Sequence, residues 1–219
     1  MQSILSDNQK KLLRALGGEK VVADTFYLSG GTALSEFYLQ HRLSEYLDFF
    51  SENEFDPQAI SAILKKIGKM VGIRQVTYEQ SFNRNLFLLK LTGDSIKTEF
   101  TFFPFPRIEP GQNYGALPVD SLIDITVNKL FTIYQKPRSR DFIDLYCILK
   151  HKPEWNLEDL MKKARVKFDH FLDPLQLSAQ FVKAETLRDY PKMIVEVDNG
   201  VWQKFFLESA SRLAGKELE

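Results

Sequence analysis

Cysteine is nearly missing from this sequence: Cys147 is the one thiol among 219 residues. That excludes an intramolecular disulfide framework and fits a reducing compartment. Cys147 falls in an apolar helical pattern, where a small buried thiol is the expected role. Neither charge sign is in excess, since Lys+Arg and Asp+Glu both number 29. No global field therefore draws the chain onto nucleic acid or anionic lipid, and any polyanion site has to be a local patch. No apolar run reaches the roughly 18 residues of a membrane span. The opening residues, Met1 to Asp7, lack the basic and apolar regions of a signal peptide, so a soluble, cytoplasmic protein is expected. His41, His151 and His170 lie far apart, with no partner at zinc-binding spacing, and are expected to be surface or packing residues, with contact to a site through its neighbour Arg42 as the alternative for His41. Internal repeats and low-complexity tracts are also missing.

The 44% hydrophobic content is enough for a proper core, in one large domain or two small ones. Ser6 or Asp7 can cap a first helix through Leu12, Leu13 and Leu16. Phe26 to Ser29 reads as a buried strand, Ala33 to Leu39 as a helix and Leu47 to Phe50 as the next strand, an order that favours a βαβ-like start. Asp56-Pro57 forms a cap and first-position pair for a helix with Ile60, Ile63, Leu64 and Ile67 inward. Gln75 to Tyr78, Leu86 to Leu91 and Ile96 to Phe103 read as strands, the last ended by Pro104 and Pro106. From Pro118 the period becomes helical: Leu122 to Tyr134, a break at Lys136-Pro137, Phe142 to Leu149, a helix opened by Asn156, then Leu175 to Val182 and Trp202 to Leu213. A first module over residues 1–115 and a helical C-terminal region over 116–219 are expected. The phenylalanines clustered at 100 to 105 are read as sheet core rather than a base-stacking platform.

Two glycines, Gly30 and Gly31, end the first strand ahead of Thr32. Backbone there can approach a triphosphate where helix N–H groups and the macrodipole favour anions. Asp48 sits in the following strand. Alternation puts residues 46 and 48 on one face and Glu45 on the other, so Glu45 cannot stand in for an acid at position 46, which is Tyr46. Glu99 lies in a strand otherwise rich in phenylalanine, where an unpaired buried charge is costly. Asp48 and Glu99 on adjacent strands suit Mg²⁺ or Mn²⁺, which takes a few carboxylate oxygens and completes its shell with water and substrate phosphate. The alternative is that Glu99 pairs with Arg42 or Lys97 and Asp48 caps a turn. Lys129 can reach a phosphate as a point charge, or join two helices by pairing with Asp141. Asp141 suits the first turn of its helix through the dipole; Asp144 shares that face three residues later. Lys136, Arg138 and Arg140, with Lys162, Lys163, Arg165 and Lys167, can line a groove for a polyanion such as a tRNA end, or simply be solvated faces.

Tyr27-Leu28-Ser29-Gly30-Gly31-Thr32-Ala33-Leu34, His41-Arg42-Leu43-Ser44-Glu45-Tyr46-Leu47-Asp48-Phe49-Phe50 and Arg140-Asp141-Phe142-Ile143-Asp144-Leu145-Tyr146 resemble, in order, the motifs of the AbiEii/AbiGii-type nucleotidyltransferase toxin family. The resemblance runs from the first helix to at least Phe181. It implies an α+β, polymerase-β-like nucleotidyltransferase fold, with a mixed sheet flanked by helices and a helical C-terminal half. It also implies an NTP substrate, a divalent metal, an RNA or protein hydroxyl as acceptor and, as toxin, a cognate antitoxin. By the same resemblance Gly30, Gly31 and Thr32 hold phosphate, and Arg42 and Ser44 are the motif residues before the catalytic strand. Asp48 corresponds to the second metal-binding acid, and Glu99 to the third, which activates the attacking hydroxyl. The helices bearing Lys129 and Asp141/Asp144 close over the nucleotide. Tyr46 departs from the pattern, which has aspartate there, and a phenol of pKa about 10 is a poor Mg²⁺ ligand at neutral pH. A catalytically degenerate member that keeps the fold as a nucleotide-binding or regulatory module is the alternative this implies.

Overall fold

The structure, a computed structural model, describes residues 3–217. The chain divides into two compact units. One takes in the residues up to Tyr38 together with Ser44–Ser121; the other takes in Leu39–Leu43 and everything from Leu122 onward.

The first unit is built on a five-stranded sheet of β1 (Tyr27–Ser29), β2 (Tyr46–Ser51), β3 (Gln75–Ser81), β4 (Arg84–Leu91) and β5 (Asp94–Phe102), in the spatial order β1-β2-β5-β4-β3. A short hairpin of β6 (Asn113–Tyr114) and β7 (Leu117–Pro118) follows. Alternation along β2 sends Leu47, Phe49 and Ser51 inward and leaves Tyr46, Asp48 and Phe50 half-buried on the opposite face. The inner face closes on aromatic rings: Phe49 stacks on Phe100 at 4.7 Å, and Phe26 meets Phe100 edge-on at 5.1 Å. Phe100 is thus core, as expected, while Phe102, Phe103 and Phe105 are only half-buried.

Helix α1 (Asp7–Gly17) begins where Ser6 accepts from the Gln9 N–H and Gln9 returns the bond, a full capping box, and its leucines Leu12, Leu13 and Leu16 are buried. A short α2 (Lys20–Thr25), which no periodicity announces, follows. Helix α4 (Pro57–Val71) opens on the Asp56 cap with Pro57 in its first turn and closes at Gly72 in the left-handed region (φ 88°).

Two expectations change here. The helix after β1 starts at Gly30 rather than Ala33, as α3 (Gly30–Leu34), and its continuation Ser35–Leu39 is wound as a π-helix. That wider turn takes one extra residue per turn and ends at Gln40, whose φ is 50°. The βαβ-like start is also corrected: β1 and β2 pair antiparallel, Ser29 opposite Asp48, and the parallel partner of β2 is β5. A strand–helix–strand order does not by itself dictate a parallel crossover, because a helix can equally well return the chain beside the strand it left.

The second unit holds α5 (Leu122–Gln135), α6 (Ser139–His151), α7 (Leu157–Phe168), α8 (Pro174–Val182) and α9 (Asn199–Glu217). Its core gathers Phe142, Phe181, Trp202 and Phe206. The Leu39–Leu43 segment is tied into it by a bridge between Arg42 and Met193 and by the Leu43 N–H donating to the Lys192 carbonyl at 2.8 Å. Cys147 is half-buried rather than buried; burial and the nearby Asp144 carboxylate push its thiol up to about 12, so it stays protonated. Among the described residues, no helix is long and apolar enough to cross a membrane.

Candidate active site

One face of the first unit's sheet collects the polar side chains. Asp48 on β2 stands opposite Glu99 on β5 in the parallel ladder, and Tyr46 stands opposite Lys97 two residues earlier. Because side chains two apart share a face, Tyr46, Asp48, Lys97, Glu99 and Thr101 all belong to it.

Gly30 explains how Asp48 is seated. Its φ is +72°, and a Cβ built there would run into the Asp48 carboxylate. Only glycine satisfies both the backbone and the contact. Gly30→Ala is therefore expected to lower stability by about 1–3 kcal/mol, because a strained left-handed alanine also displaces a carboxylate; the urea midpoint would measure it. Thr32 is fully buried, and its hydroxyl donates to the Tyr46 carbonyl, tying α3 to β2. Gly31 is buried at the same helix start, and Ser44 is half-buried at the approach to β2.

Glu99 is 6% exposed, and its partner is neither Arg42 nor Lys97. Arg84 grips it with two parallel bonds, Nε to Oε1 at 2.7 Å and Nη2 to Oε2 at 2.5 Å, while the Thr101 hydroxyl donates to Oε1 at 2.9 Å. Arg84 is the diagonal neighbour across the ladder: it faces Thr101, while Leu86 faces Glu99. The bonds to Glu99, outweighing burial and helped by the fields of Asp48 and Tyr46, raise the Arg84 guanidinium above its ordinary value. Lys97 lies 5.0 Å from the centre of the Tyr46 ring and 3.6 Å from Glu45, while Glu45 itself is largely exposed. Asp48 lies within β2, with its carboxylate against Gly30 at the start of α3.

Among the described residues, no three His, Cys, Asp or Glu side chains come together as a metal-holding group. The donor set fits one hard divalent cation, with Asp48 and Glu99 in register as its carboxylates and water and phosphate for the rest. Tyr46, on the same face, adds a phenol rather than a third carboxylate.

The second unit carries a buried charge cluster. Asp144 has no exposed surface. Arg42 donates to both of its oxygens (Nε to Oδ1 2.6 Å, Nη2 to Oδ2 2.7 Å), and Lys129 Nζ lies 2.7 Å from Oδ2. His41 Nε2 is 2.8 Å from Oδ1 and donates, since an ionised carboxylate has no proton to give. Lys129 also donates to Asp141 at 2.7 Å, and Arg138 reaches the other Asp141 oxygen at 3.1 Å. Burial alone would raise both acids, but Lys129 and Arg42, aided by His41, hold Asp144 well below the usual carboxylate range, and Lys129 with Arg138 holds Asp141 low. The ion pair between Lys129 and Asp141 is thus present, and Asp144 joins it. Two of the three ammonium N–H groups go to these acids. A separate cavity of about 660 Å³ in this unit, with Tyr146, Trp155, Phe205 and Arg212 in its lining, contains none of these groups.

Sequence reasoning overlooked Arg84, which the order of residues does not announce, because the signal needed the register of β4 on β5. His41, expected to act if at all through its neighbour Arg42, shares Asp144 with it.

The family model described as "Nucleotidyl transferase AbiEii toxin, Type IV TA system" matches residues 11–208. Among solved structures, the crystal structure of JHP933 from Helicobacter pylori shares 22% identity, with a TM-score of 0.58 over 97% of this chain and 94% of that one. A Helicobacter pylori protein described as a candidate nucleotidyltransferase shares 21%, with a TM-score of 0.60 over 98% and 99% of the two chains. At such identities the likeness is one of fold, and that fold is the α+β nucleotidyltransferase fold. No curated protein matches by sequence.

Proposed function

The chain belongs to the nucleotidyl transferase AbiEii toxin family, and on that footing we propose that it transfers a nucleoside monophosphate from an NTP to a hydroxyl of RNA or of a protein. The observation that carries this reading is the register of Asp48 with Glu99 on one sheet face, with Gly30 moulded to the Asp48 carboxylate. Backbone N–H groups at Gly30 and Gly31 are assigned to the triphosphate, with Thr32 fixing the turn against β2. Asp48 and Glu99 would hold one Mg²⁺ or Mn²⁺, which when bound neutralises charge developing on the phosphates. Lys129 is assigned to phosphate as a point charge, its direction set by Asp141 and Asp144, with Arg42 holding Asp144 in place. Ser44 belongs to the motif leading into β2 and is assigned to nucleotide binding with Arg42. In the reaction the acceptor oxygen bonds to the α-phosphorus, the bond to the β-phosphate oxygen breaks, pyrophosphate leaves and Glu99 takes the hydroxyl proton. The family's description supports extending the proposal to a toxin role restrained by a cognate antitoxin, with the cytoplasm as the proposed location.

A second reading has its own support: Tyr46 at the position of the first acid, with Lys97 beside its ring, fits a member that binds nucleotide without turning it over. Incubation with labelled NTPs, Mg²⁺ or Mn²⁺, and bulk RNA or cell protein separates the two. Labelling by the native chain is expected. Tyr46→Asp should raise its rate by roughly tenfold, about 1.4 kcal/mol of transition-state stabilisation. Labelling seen only with Tyr46→Asp would move the conclusion to the second reading.

A further inference from the structure

Glu99 is a carboxylate already in use. Both of its oxygens are covered, one by Arg84 and Thr101 and the other by Arg84 again. Arg84 fills the chelating edge of the carboxylate, so a divalent cation that is to take both Glu99 oxygens has to displace the guanidinium. The two partners differ sharply in exposure: the Glu99 side chain is 8% exposed and that of Arg84 is 60% exposed. Glu99 is the fixed member, held within the ladder between β2 and β4. Arg84 is the first residue of β4, just past the Phe82-Asn83 turn, and its long side chain reaches across the sheet face from the rim. Among the described residues, Glu99 is the partner recorded for its guanidinium.

That planar fork matches two kinds of partner equally well, a carboxylate and a phosphate. Losing Arg84 with no replacement would strand a buried negative charge, so exchange is favourable only when another cation takes its place. Resting on the nucleotidyl-transfer reading above, we propose that Arg84 is a cation-exchange residue. It neutralises Glu99 in the empty site, leaves Glu99 as a divalent cation and nucleotide arrive together, and re-pairs with phosphate oxygens of the triphosphate. One ion pair breaks and two form, and Glu99 is never left without a cation. The device makes cation binding dependent on nucleotide, because the triphosphate offers Arg84 a new fork-matched partner.

Free Mn²⁺, read by electron paramagnetic resonance during titration of the full chain, tests this without turnover, with and without an NTP carrying a non-hydrolysable α,β link. Arg84→Met is expected to bind Mn²⁺ alone roughly tenfold more tightly than the native chain, and the analogue with Mn²⁺ roughly tenfold more weakly. Arg84→Lys keeps the charge but not the fork, and is expected to shift both in the same directions by roughly threefold; it carries the test if Arg84→Met does not fold. Mn²⁺ affinity in the variants equal to or below the native value overturns the exchange, as does unchanged analogue affinity. An ion pair serving stability alone would lower the melting temperature and leave both affinities where they were. If neither the native chain nor the variants bind Mn²⁺, with or without the analogue, the metal assignment itself falls and the exchange with it.

Discussion

Asp144→Asn is expected to cost about 3–5 kcal/mol of stability at pH 7, the loss seen when one member of a buried ion cluster is removed and its partners stay behind. Asp144 is fully buried and serves Arg42, His41 and Lys129 at once. An amide of the same shape keeps the packing and removes the charge, leaving a 4%-exposed guanidinium and a 9%-exposed ammonium with too little compensation. The pH dependence has a definite sign. Asp144 and Asp141 are held below their ordinary values, which are about 3.9 in an unfolded chain. Their contribution is therefore fully present above about pH 4, and it is lost as the pH falls through the lower native-state values. Urea unfolding of native and variant protein at pH 7 and near pH 3 should show the gap between them shrinking in acid. A constant gap would mean that the cluster acts through packing alone.

The second large effect is on chemistry. Asp48→Asn preserves size and the fit against Gly30, yet removes one of the two carboxylates facing each other across β2 and β5. Nucleotidyl transfer should fall by roughly 10³-fold, corresponding to about 4 kcal/mol of barrier, while the thermal unfolding midpoint moves little. Initial rates with labelled NTP, beside a circular-dichroism melt, would show the split. Transfer at the native rate would remove Asp48 from the chemistry. Where Gly30→Ala perturbs the seat of the carboxylate together with the fold, Asp48→Asn isolates its charge.

Local signals were read well. Of the pair Ser6 or Asp7 it is Ser6 that caps α1, and Asp56 ahead of Pro57 and Asn156 at the start of α7 cap the helices their types suggest, because capping is decided within a few residues. Asp48 and Glu99 do lie opposite each other on adjacent strands, as expected, but the cation that a buried acid in a phenylalanine-rich strand has to find is Arg84. What escaped depends on tertiary register. Arg84 reaches Glu99 only because β4 and β5 are offset so that it lies on the diagonal, and the same sequence slid by one residue would turn it to the other face. The antiparallel pairing of β1 with β2 and the π-wound turn at Ser35–Leu39 follow from where the chain must go next. Arg42, read as a motif residue near the catalytic strand, spends its fork on Asp144, about a hundred residues downstream.

The grouping of Leu39–Leu43 with the helices downstream has a practical meaning for anyone dissecting this protein. Neither compact unit is a single stretch of chain, so no one cut yields either of them whole. A fragment starting at Leu122 would carry Asp144 without Arg42 or His41, two of its buried partners. A fragment ending at Ser121 would keep Arg42 but leave that guanidinium without its acid. Deletion mapping that assigns activity to a front half or a back half would thus report the damage at the cut rather than the division of labour, and point substitutions are the tool that respects how this chain is threaded.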